Sequence, residues 1–367
     1  MSPSDRHLSR RQKLLHKLKN QPARTLLVSD ETNVSYLTGF SGDSSFLLLG
    51  EGICTLVSDG RYTTQIAGEC PDLDVYIRPQ AETIIAAAAK VIEKAKLRKI
   101  GIESEHLSVS DFESLKAAVK SLEAFPLSGM VEGLREIKDA GEIAEIRRAI
   151  RQAEKGFEVL RAQLVGEMTE LQAAHVLEQS MRQFGATGAA FPPIVAVGPR
   201  AALPHARPTA ELISSADFVL IDWGATAASG YRSDLTRILV TGKISPKLEK
   251  VYGVVLTAQQ AAINSIRAGM RCCDVDAVAR RVIEDAGFGK NFSHSLGHGI
   301  GLNVHEGPRL RAASESKLRP GMVVTVEPGI YLEGWGGVRI EDDCLVMRGG
   351  CEILTNVPKA FAEVVLR

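Results

Sequence analysis

The amino-acid sequence has no excess of charge of either sign. Its 367 residues include 44 Lys and Arg against 44 Asp and Glu, so the formal net charge is zero. A neutral chain has no global field that would attract a phosphate polymer or an anionic membrane. We therefore expect neither nucleic acid nor a membrane among its partners.

Long apolar runs are also missing. No stretch reaches the roughly 18 to 20 consecutive apolar residues that a membrane helix needs, and 45% hydrophobic with 24% charged residues is typical of a soluble globular protein. The basic segment 1–20 contains leucines but no apolar core of a secretory signal. It predicts an amphipathic first helix with a solvated basic face, with an organelle-targeting helix as the alternative.

Cysteine is scarce, and its six positions form no C-x-x-C pair. A chain of this length can form a core without disulfides, so we expect reduced thiols in a cytoplasmic protein. Cys272 and Cys273 lie beside Asp274 at a predicted helix start. No neighbouring pattern indicates a nucleophile there, and packing is the better interpretation.

The length favours two domains. Five short apolar runs in the first third predict strands, and residues 82–96 and 110–121 have helical spacing between them; the runs are TLLVSD, SSFLLLG, ICTLVSD, DVYIRP and KIGIES. This alternation predicts an α/β N-terminal domain over residues 1–130. The pattern weakens near 123–134, which places the boundary at about 125–135.

A second domain over residues 131–367 is predicted to be α+β with a largely antiparallel sheet. It opens with a long helical pattern, and Thr169 with Gln172 forms the signature of a capping box. Strand-like pieces broken by Gly and Pro follow from Phe191, interrupted by helices at about 246–267 and 274–286.

Two aspartates mark the edges of neighbouring strand runs in this domain. Asp222 ends FVLID and Asp234 starts DLTRILV, with a glycine-containing connection between them. If the two strands pair as a hairpin, both carboxylates meet at one end of the sheet. Taken singly, each is better interpreted as an ordinary turn residue.

Histidine is concentrated in FSHSLGHGIGLNVHEGP, which holds His294, His298 and His305 although the whole chain has only eight. The intervening glycines make a helix implausible, which excludes the H-E-x-x-H zinc helix. The spacing also fails for a dinucleotide-binding loop. Instead, glycines allow backbone and ring nitrogens to crowd around a small object.

Two glutamates join the aspartates and histidines as candidate functional residues. Glu327 ends the run VVTVE and Glu341 lies in VRIEDD, and a carboxylate at the end of an apolar run needs a cation or an arginine close by. Arg339 can neutralise one acid, but not four. Two Asp, two Glu and His298 are hard ligands with enough charge for two divalent ions, with manganese preferred over a structural zinc thiolate site. Such a pair of ions supports hydrolysis.

Five segments in order resemble the pita-bread metallopeptidase family, and within it the Xaa-Pro aminopeptidases and Xaa-Pro dipeptidases (prolidases): 202–208, 222–237, 294–308, 325–331 and 337–343. In addition, ETNVSYLTGFSGDSSFLLL and VSDGRYTTQ resemble the creatinase-type N-terminal domain of these peptidases. The resemblance implies a creatinase-like domain followed by a pita-bread catalytic domain. It also implies a homodimer.

The same resemblance assigns roles to residues. The implied metal ligands are Asp222, Asp234, His298, Glu327 and Glu341, with His298 on one ion and with Asp234 and Glu341 bridging. His205, His294 and His305 match the non-ligand active-site histidines, and Glu327 is expected to carry the proton as well. Arg309 and Arg339 are expected to bind substrate.

The implied reaction is hydrolysis of the bond preceding proline, in a small peptide with proline at the second position, by a hydroxide that bridges two divalent ions. Manganese is the expected metal, with cobalt or zinc as alternatives. The alternative hypotheses are a metal-free creatinase-like amidinohydrolase, a methionine aminopeptidase, and an inactive binding member of the family. One departure is the spacing from Asp222 to Asp234, which is one residue longer than the family pattern and requires a bulge or a longer turn.

Overall fold

The computed structural model describes residues 3–366, so the first two residues of the predicted amphipathic segment and the last residue of the predicted second domain lie outside it. The chain divides after Arg135 into two compact units. This division falls at the end of the predicted boundary region, 125–135.

The first unit is built on one six-stranded sheet. Its helices are α1 (Pro3–Leu18), α2 (Glu31–Thr38), α3 (Thr63–Glu69), α4 (Ile84–Lys94), α5 (Val109–Ala118) and α6 (Glu132–Arg135). Its strands are β1 (Thr25–Val28), β2 (Phe46–Gly50), β3 (Ile53–Asp59), β4 (Asp74–Arg78), β5 (Lys99–Glu103) and β6 (Glu123–Leu127).

The sheet has the order β4-β3-β2-β1-β5-β6. Only β2 runs antiparallel to its neighbours, whereas β3 with β4, β1 with β5, and β5 with β6 are parallel pairs. The apolar face of α4 packs on this sheet, where Ala88 and Ile92 are buried with Leu27 and Ile100. The α/β prediction for this unit is confirmed.

The sequence patterns do not predict two elements of the first unit, strand β6 and helix α2. Strand β6 lies in the segment interpreted as a weak boundary, because Pro126 argues against a strand; the structure places it at the edge of the sheet, where a proline is tolerated. Helix α2 spans only eight residues, between its N-cap Asp30 and its C-cap Gly39. Such a short segment carries too little periodicity to be recognised.

The second unit has four helices and twelve strands within the described residues. The helices are α7 (Ala140–Gln163), α8 (Glu170–Gln183), α9 (Pro246–Ser265) and α10 (Cys272–Asp285). The first six strands are β7 (Gly188–Ala189), β8 (Ile194–Val197), β9 (Phe218–Trp223), β10 (Ala225–Thr226), β11 (Leu235–Val240) and β12 (Gly297–Gly299). The last six are β13 (Glu306–Leu310), β14 (Val323–Val326), β15 (Gly329–Leu332), β16 (Gly336–Arg339), β17 (Asp342–Val346) and β18 (Cys351–Ile353).

All strand pairs of the second unit are antiparallel in the described part of the chain, which confirms the α+β prediction. The larger sheets have the orders β11-β9-β8 and β13-β12-β14-β17-β18. A core of apolar side chains from α9, α10 and these strands packs between them. The predicted capping box is also present, since Thr169 Oγ1 accepts from Gln172 N–H and the Gln172 side chain accepts from Thr169 N–H.

All six cysteines carry free thiols. Cys272 is the first residue of α10 and is buried, and burial raises the pKa of its thiol to about 11. A thiol of that pKa is a poor nucleophile, which favours the packing interpretation. Among residues 3–366, no helix combines the length and apolar character required to cross a membrane.

Candidate metal centre and active site

The antiparallel pair β9 and β11 positions the two aspartates. Thr236 lies opposite Asp222 in the register, so the predicted strand pairing is confirmed. Because alternate residues of a strand face the same side of the sheet, Asp234 and Thr236 share the face of Asp222. Both aspartates are buried, at 8% and 5% exposure, so the sheet brings two carboxylates into a dry site.

The connection between the two aspartates is a continuous β-hairpin. Ala227 N–H donates to Tyr231 O, and Thr226 lies opposite Arg232, so the β9–β11 register continues unbroken to the turn. Residues 228–230 then form a three-residue turn. Of the two alternatives that the longer spacing requires, the structure therefore has the turn and not the bulge.

Strand β12 carries His298, and its glycines allow neighbouring backbone to approach closely. A Cβ atom on Gly297 would lie 2.0 Å from Thr325 O, a distance that no side chain can occupy. The His298 Nδ1–H donates to Gly299 O at 3.1 Å, which leaves the Nε2 lone pair facing the acids. Nε2 lies 3.3 Å from Glu327 Oε1 and 3.7 Å from Asp234 Oδ2.

The two glutamates lie where β14 ends and where β17 begins. Glu327 N–H donates to Leu296 O at 2.8 Å, which ties it to the histidine loop. Glu341 N–H donates to Thr236 O at 3.2 Å, and the Thr236 hydroxyl donates to Glu341 Oε2 at 2.6 Å. These contacts bring both glutamates to the face that carries the aspartates.

A three-residue cluster at the centre has the geometry of a metal site. One ligand atom from each of Asp234, His298 and Glu341 lies within 4.8 Å of the other two, and all three residues are buried. In addition, Asp222 Oδ1 and Glu341 Oε1 are buried without a hydrogen-bond partner in the described residues. Buried carboxylate oxygens need a cation or a donor, so these atoms fit divalent ions held by oxygen and imidazole ligands.

The electrostatics support the same conclusion. Burial, followed by repulsion from the neighbouring carboxylates, raises the pKa of Asp234 and Glu341 well above the ordinary values. Burial raises the pKa of Glu327 to about 8 and lowers that of His298 to about 3. A bound cation favours ionised carboxylates and neutral imidazole, which are the forms that ligate metals.

Arg339 lies behind the centre at 3% exposure. Its Nη2 donates to Asp222 Oδ2 at 2.5 Å, its Nε to Thr236 Oγ1 at 3.1 Å and its Nη1 to Tyr331 Oη at 2.7 Å. All three nitrogens are thus engaged by the protein. Substrate binding by Arg339 stays a prediction, and these contacts favour orientation of Asp222.

Sequence reasoning missed Thr236 and Tyr331. The Tyr331 hydroxyl accepts from Arg339 and lies 2.8 Å from His294 Nε2, so it connects the arginine to the histidine loop. Strand alternation alone could have indicated Thr236, two residues after Asp234 on the same face. No local signal singles out Tyr331, because its partners are distant in sequence or lie on another strand.

The three further histidines surround the centre. The His305 ring is exposed and packs edge-on against His298, with ring centroids 4.5 Å apart. His294 is partly buried, and its Nδ1 lies 4.0 Å from Glu327 Oε2; burial lowers its pKa to about 4. His205 is exposed and is close enough to Asp222, His294 and His305 to influence the pKa of each.

Arg309 lies on β13 directly opposite His298 in the register and is exposed. Its charge partly opposes the rise that burial causes in the pKa of Glu327, which places its guanidinium within electrostatic range of the centre. An exposed arginine on the rim of a carboxylate-rich centre is available to a ligand, in contrast to the fully engaged Arg339.

Comparison with known proteins decides the family. Residues 144–348 match the model of metallopeptidase family M24, and residues 10–137 match the creatinase/prolidase N-terminal domain. The chain belongs to metallopeptidase family M24. The predicted resemblance and fold class are confirmed: a creatinase-type N-terminal domain precedes a pita-bread catalytic domain.

Relatives of this M24 peptidase extend over nearly its whole length. It is 36% identical to the uncharacterized peptidase YqhT of Bacillus subtilis over 334 residues, covering 91% of this chain and 94% of that protein. Among solved structures, the Xaa-Pro dipeptidase from Bacillus anthracis has a TM-score of 0.94 at 36% identity, covering 98% of this chain and 100% of that one. An X-Pro aminopeptidase from Thermotoga maritima has a TM-score of 0.85 at 38% identity, covering 92% and 97%.

Proposed function

We propose that this M24 peptidase hydrolyses the peptide bond preceding proline in small peptides, and that it uses two divalent ions, manganese first with cobalt or zinc as alternatives. The buried cluster of Asp234, His298 and Glu341 carries this proposal. It is supported by the likeness to an Xaa-Pro dipeptidase and to an X-Pro aminopeptidase.

The proposed ligands are Asp222, Asp234, His298, Glu327 and Glu341. Bound divalent ions supply Lewis acidity and lower the pKa of water at neutral pH. The chain's own residues prepare this site: Arg339 orients Asp222, Thr236 orients Glu341, and the Gly299 carbonyl holds the proton of His298 on Nδ1. The residues that hold the ions are therefore themselves held in position.

Glu327 is the proposed proton carrier. Its side chain is the most exposed of the five proposed ligands, at 16% against 11% for Asp222. A carboxylate at the open side of the centre can take the proton of the attacking water and deliver it to the leaving prolyl nitrogen. His205 and His305 are proposed to bind substrate and to donate to the developing oxyanion, with His294 lining the same pocket.

Arg309 is proposed to distinguish dipeptides from longer peptides. In an Xaa-Pro dipeptide, proline carries a free carboxylate beside the scissile bond, which an arginine can hold through two charge-assisted hydrogen bonds. A longer peptide has an amide at this place and leaves the arginine unpaired. The exposed position of Arg309 opposite His298 supports this role.

The deciding experiment compares Xaa-Pro dipeptides with Xaa-Pro-Yaa tripeptides, using chelator-treated protein and the same protein reloaded with Mn²⁺. We expect hydrolysis of the bond before proline only after reloading, with dipeptides preferred if Arg309 is a carboxylate clamp. Hydrolysis that survives complete metal removal would favour the metal-free amidinohydrolase type of chemistry. Stoichiometric metal binding without hydrolysis would indicate an inactive binding member.

A further inference from the structure

Glu170 is a fully buried carboxylate outside the proposed metal ligands. It is the first residue of α8 and has 0% exposure. Its Oε1 accepts from Val197 N–H at 3.0 Å and from Arg200 Nε–H at 3.1 Å. Its Oε2 accepts from the N–H and the hydroxyl of Thr209, at 2.9 Å and 2.8 Å. A buried carboxylate that accepts from four donors holds the segments carrying those donors together, unlike an acid exposed to solvent.

These donors lie at the two ends of one loop, residues 197–209, which we call the His205 segment. Arg200 also donates to Arg207 O across the base of the loop. Within the segment, Ala206 N–H donates to Leu203 O, which forms a turn around the exposed His205. The Glu170 carboxylate therefore closes the base of the loop that presents His205.

The opposite side of the His205 segment rests on β16. A Cβ atom on Gly337 would lie 2.1 Å from Ala201 O, so the short 3₁₀ turn Gly198–Ala202 lies directly on this strand. Two residues further along β16, Arg339 holds Asp222. The base of the segment is thus seated between α8 and the strand that supports the metal centre, and its position determines where His205 lies.

We propose that Glu170 is a positioning residue for His205 and acts through Arg200 and Thr209. Glu170 does not touch substrate; it sets the place of the imidazole that does. The inference rests on the substrate role given to His205 under Proposed function. In Glu170→Gln, an amide replaces one acceptor oxygen with an NH₂ group that faces the Thr209 or Arg200 donors, which opens the base of the loop.

A double-mutant cycle tests this with the full chain loaded with Mn²⁺ and an Xaa-Pro dipeptide. We expect His205→Ala to lower kcat/KM about 100-fold and Glu170→Gln to lower it about 10- to 100-fold. In the His205→Ala background, Glu170→Gln should add less than about twofold, because the residue that it positions is gone. Bound metal per chain should stay unchanged in every variant.

Glu178→Gln is the matched control. Glu178 lies on the same helix and pairs with Arg182 at the surface, and its substitution should leave kcat/KM and metal content unaltered. If Glu170→Gln does not fold, Thr209→Val is tested instead. It removes one donor hydroxyl and should lower kcat/KM about three- to tenfold. Thr209→Ser retains the hydroxyl and should keep the kcat/KM of the unaltered protein.

An activity-independent measurement accompanies the cycle. With ¹⁵N-labelled histidine in chelator-treated protein, where no paramagnetic Mn²⁺ broadens nearby signals, the ring signal of His205 is identified by its loss in His205→Ala. Glu170→Gln should shift that signal and leave those of His16 and His106 in place, whereas Glu178→Gln should shift none of them.

The outcomes distinguish the positioning role of Glu170 from the substrate role of His205. Additive effects in the cycle, or an unshifted His205 signal in Glu170→Gln, would overturn the positioning role while His205 keeps its own. If His205→Ala alone leaves hydrolysis intact, the role of His205 under Proposed function is wrong and the positioning role falls with it. If no Xaa-Pro peptide is hydrolysed by the unaltered protein, the proposed substrate is wrong, and the ring signal alone decides the structural link.

Discussion

At the scale of single residues, the carboxylates of the centre are held by partners that also contact one another. The Thr236 hydroxyl donates to Glu341 and accepts from Arg339, which in turn donates to Asp222. The backbone N–H of Asp234 donates to the buried Asp343 Oδ2 at 3.1 Å. A change at one position therefore reaches several ligands, so effects at the centre will not be additive.

Asp234→Ala should abolish the centre. Asp234 shares the buried cluster with His298 and Glu341, so its removal deletes one of the three residues of that cluster. We expect metal content to fall and activity to drop by at least about 100-fold, since loss of even an indirect ligand partner costs 10- to 100-fold. Elemental analysis and peptide hydrolysis measure the two, and Asp285→Ala on the surface is the control. Full metal content with normal turnover would contradict the assignment.

Glu327→Gln should separate metal binding from catalysis. The amide keeps one oxygen ligand but cannot carry a proton, and general-base contributions are typically about 10²- to 10⁴-fold. We expect activity to fall much further than metal content. Glu341→Gln serves for comparison, because a buried ligand without a proton-transfer role should lose both together. Parallel losses in the two variants would leave Glu327 as a ligand only.

Arg309→Ala should affect dipeptides selectively. Loss of a charge-assisted pair with the proline carboxylate corresponds to about 1.5 to 3 kcal/mol, seen as a higher KM for Xaa-Pro. The KM for Xaa-Pro-Yaa should change little. Arg311→Ala, at the neighbouring exposed arginine, provides the control. Equal effects on both substrates, or faster tripeptide cleavage by the unaltered protein, would favour an aminopeptidase instead.

At the scale of secondary-structure elements, the proposed site is assembled from strand ends. Asp222 lies at the end of β9, Asp234 just before β11, Glu327 just after β14 and Glu341 just before β17. Each of these strands is an apolar run that the sequence pattern predicts. Strand β6 is the counterexample, since a proline conceals an edge strand whose apolar character is weak.

Helix α9 offers a test at this scale. Ser245 Oγ accepts from Leu248 N–H at 3.1 Å and caps the helix, which packs its apolar face into the core of the second unit. Ser245→Ala should lower the free energy of unfolding by about 1 kcal/mol, whereas Ser245→Asp, which retains the acceptor, should not. Denaturant unfolding of the metal-loaded protein measures both. Indistinguishable midpoints for the two variants would show that the cap contributes nothing measurable.

At the scale of the whole molecule, the centre links metal binding to stability. Buried carboxylates repel one another without a cation, and an ion that binds only the folded state stabilises it by about 2.7 kcal/mol at a concentration 100 times Kd. We expect Mn²⁺ to raise the Tm of chelator-treated protein in a concentration-dependent manner. Scanning calorimetry should show no such rise for Asp234→Ala, and an equal rise in that variant would place the binding elsewhere.

Local patterns in the amino-acid sequence predict the class of each domain, most strands and long helices, and the residue types of the proposed ligands. These properties are local: apolar periodicity defines elements, and carboxylates with imidazole define a hard metal site. Each of Asp234, His298 and Glu341, which form the buried cluster, therefore lies in a short motif that the sequence analysis identifies.

The contacts that hold those ligands in place arise from packing between distant segments of the chain. Thr236 and Glu341 are 105 positions apart, and Arg339 and Asp222 are 117 apart, so no local pattern encodes their hydrogen bonds. The same holds for Glu170, whose carboxylate meets donors 27 to 39 residues away. Which oxygen meets which donor depends on strand register and on how distant segments pack, and these follow from the free energy of the whole fold rather than from any one segment.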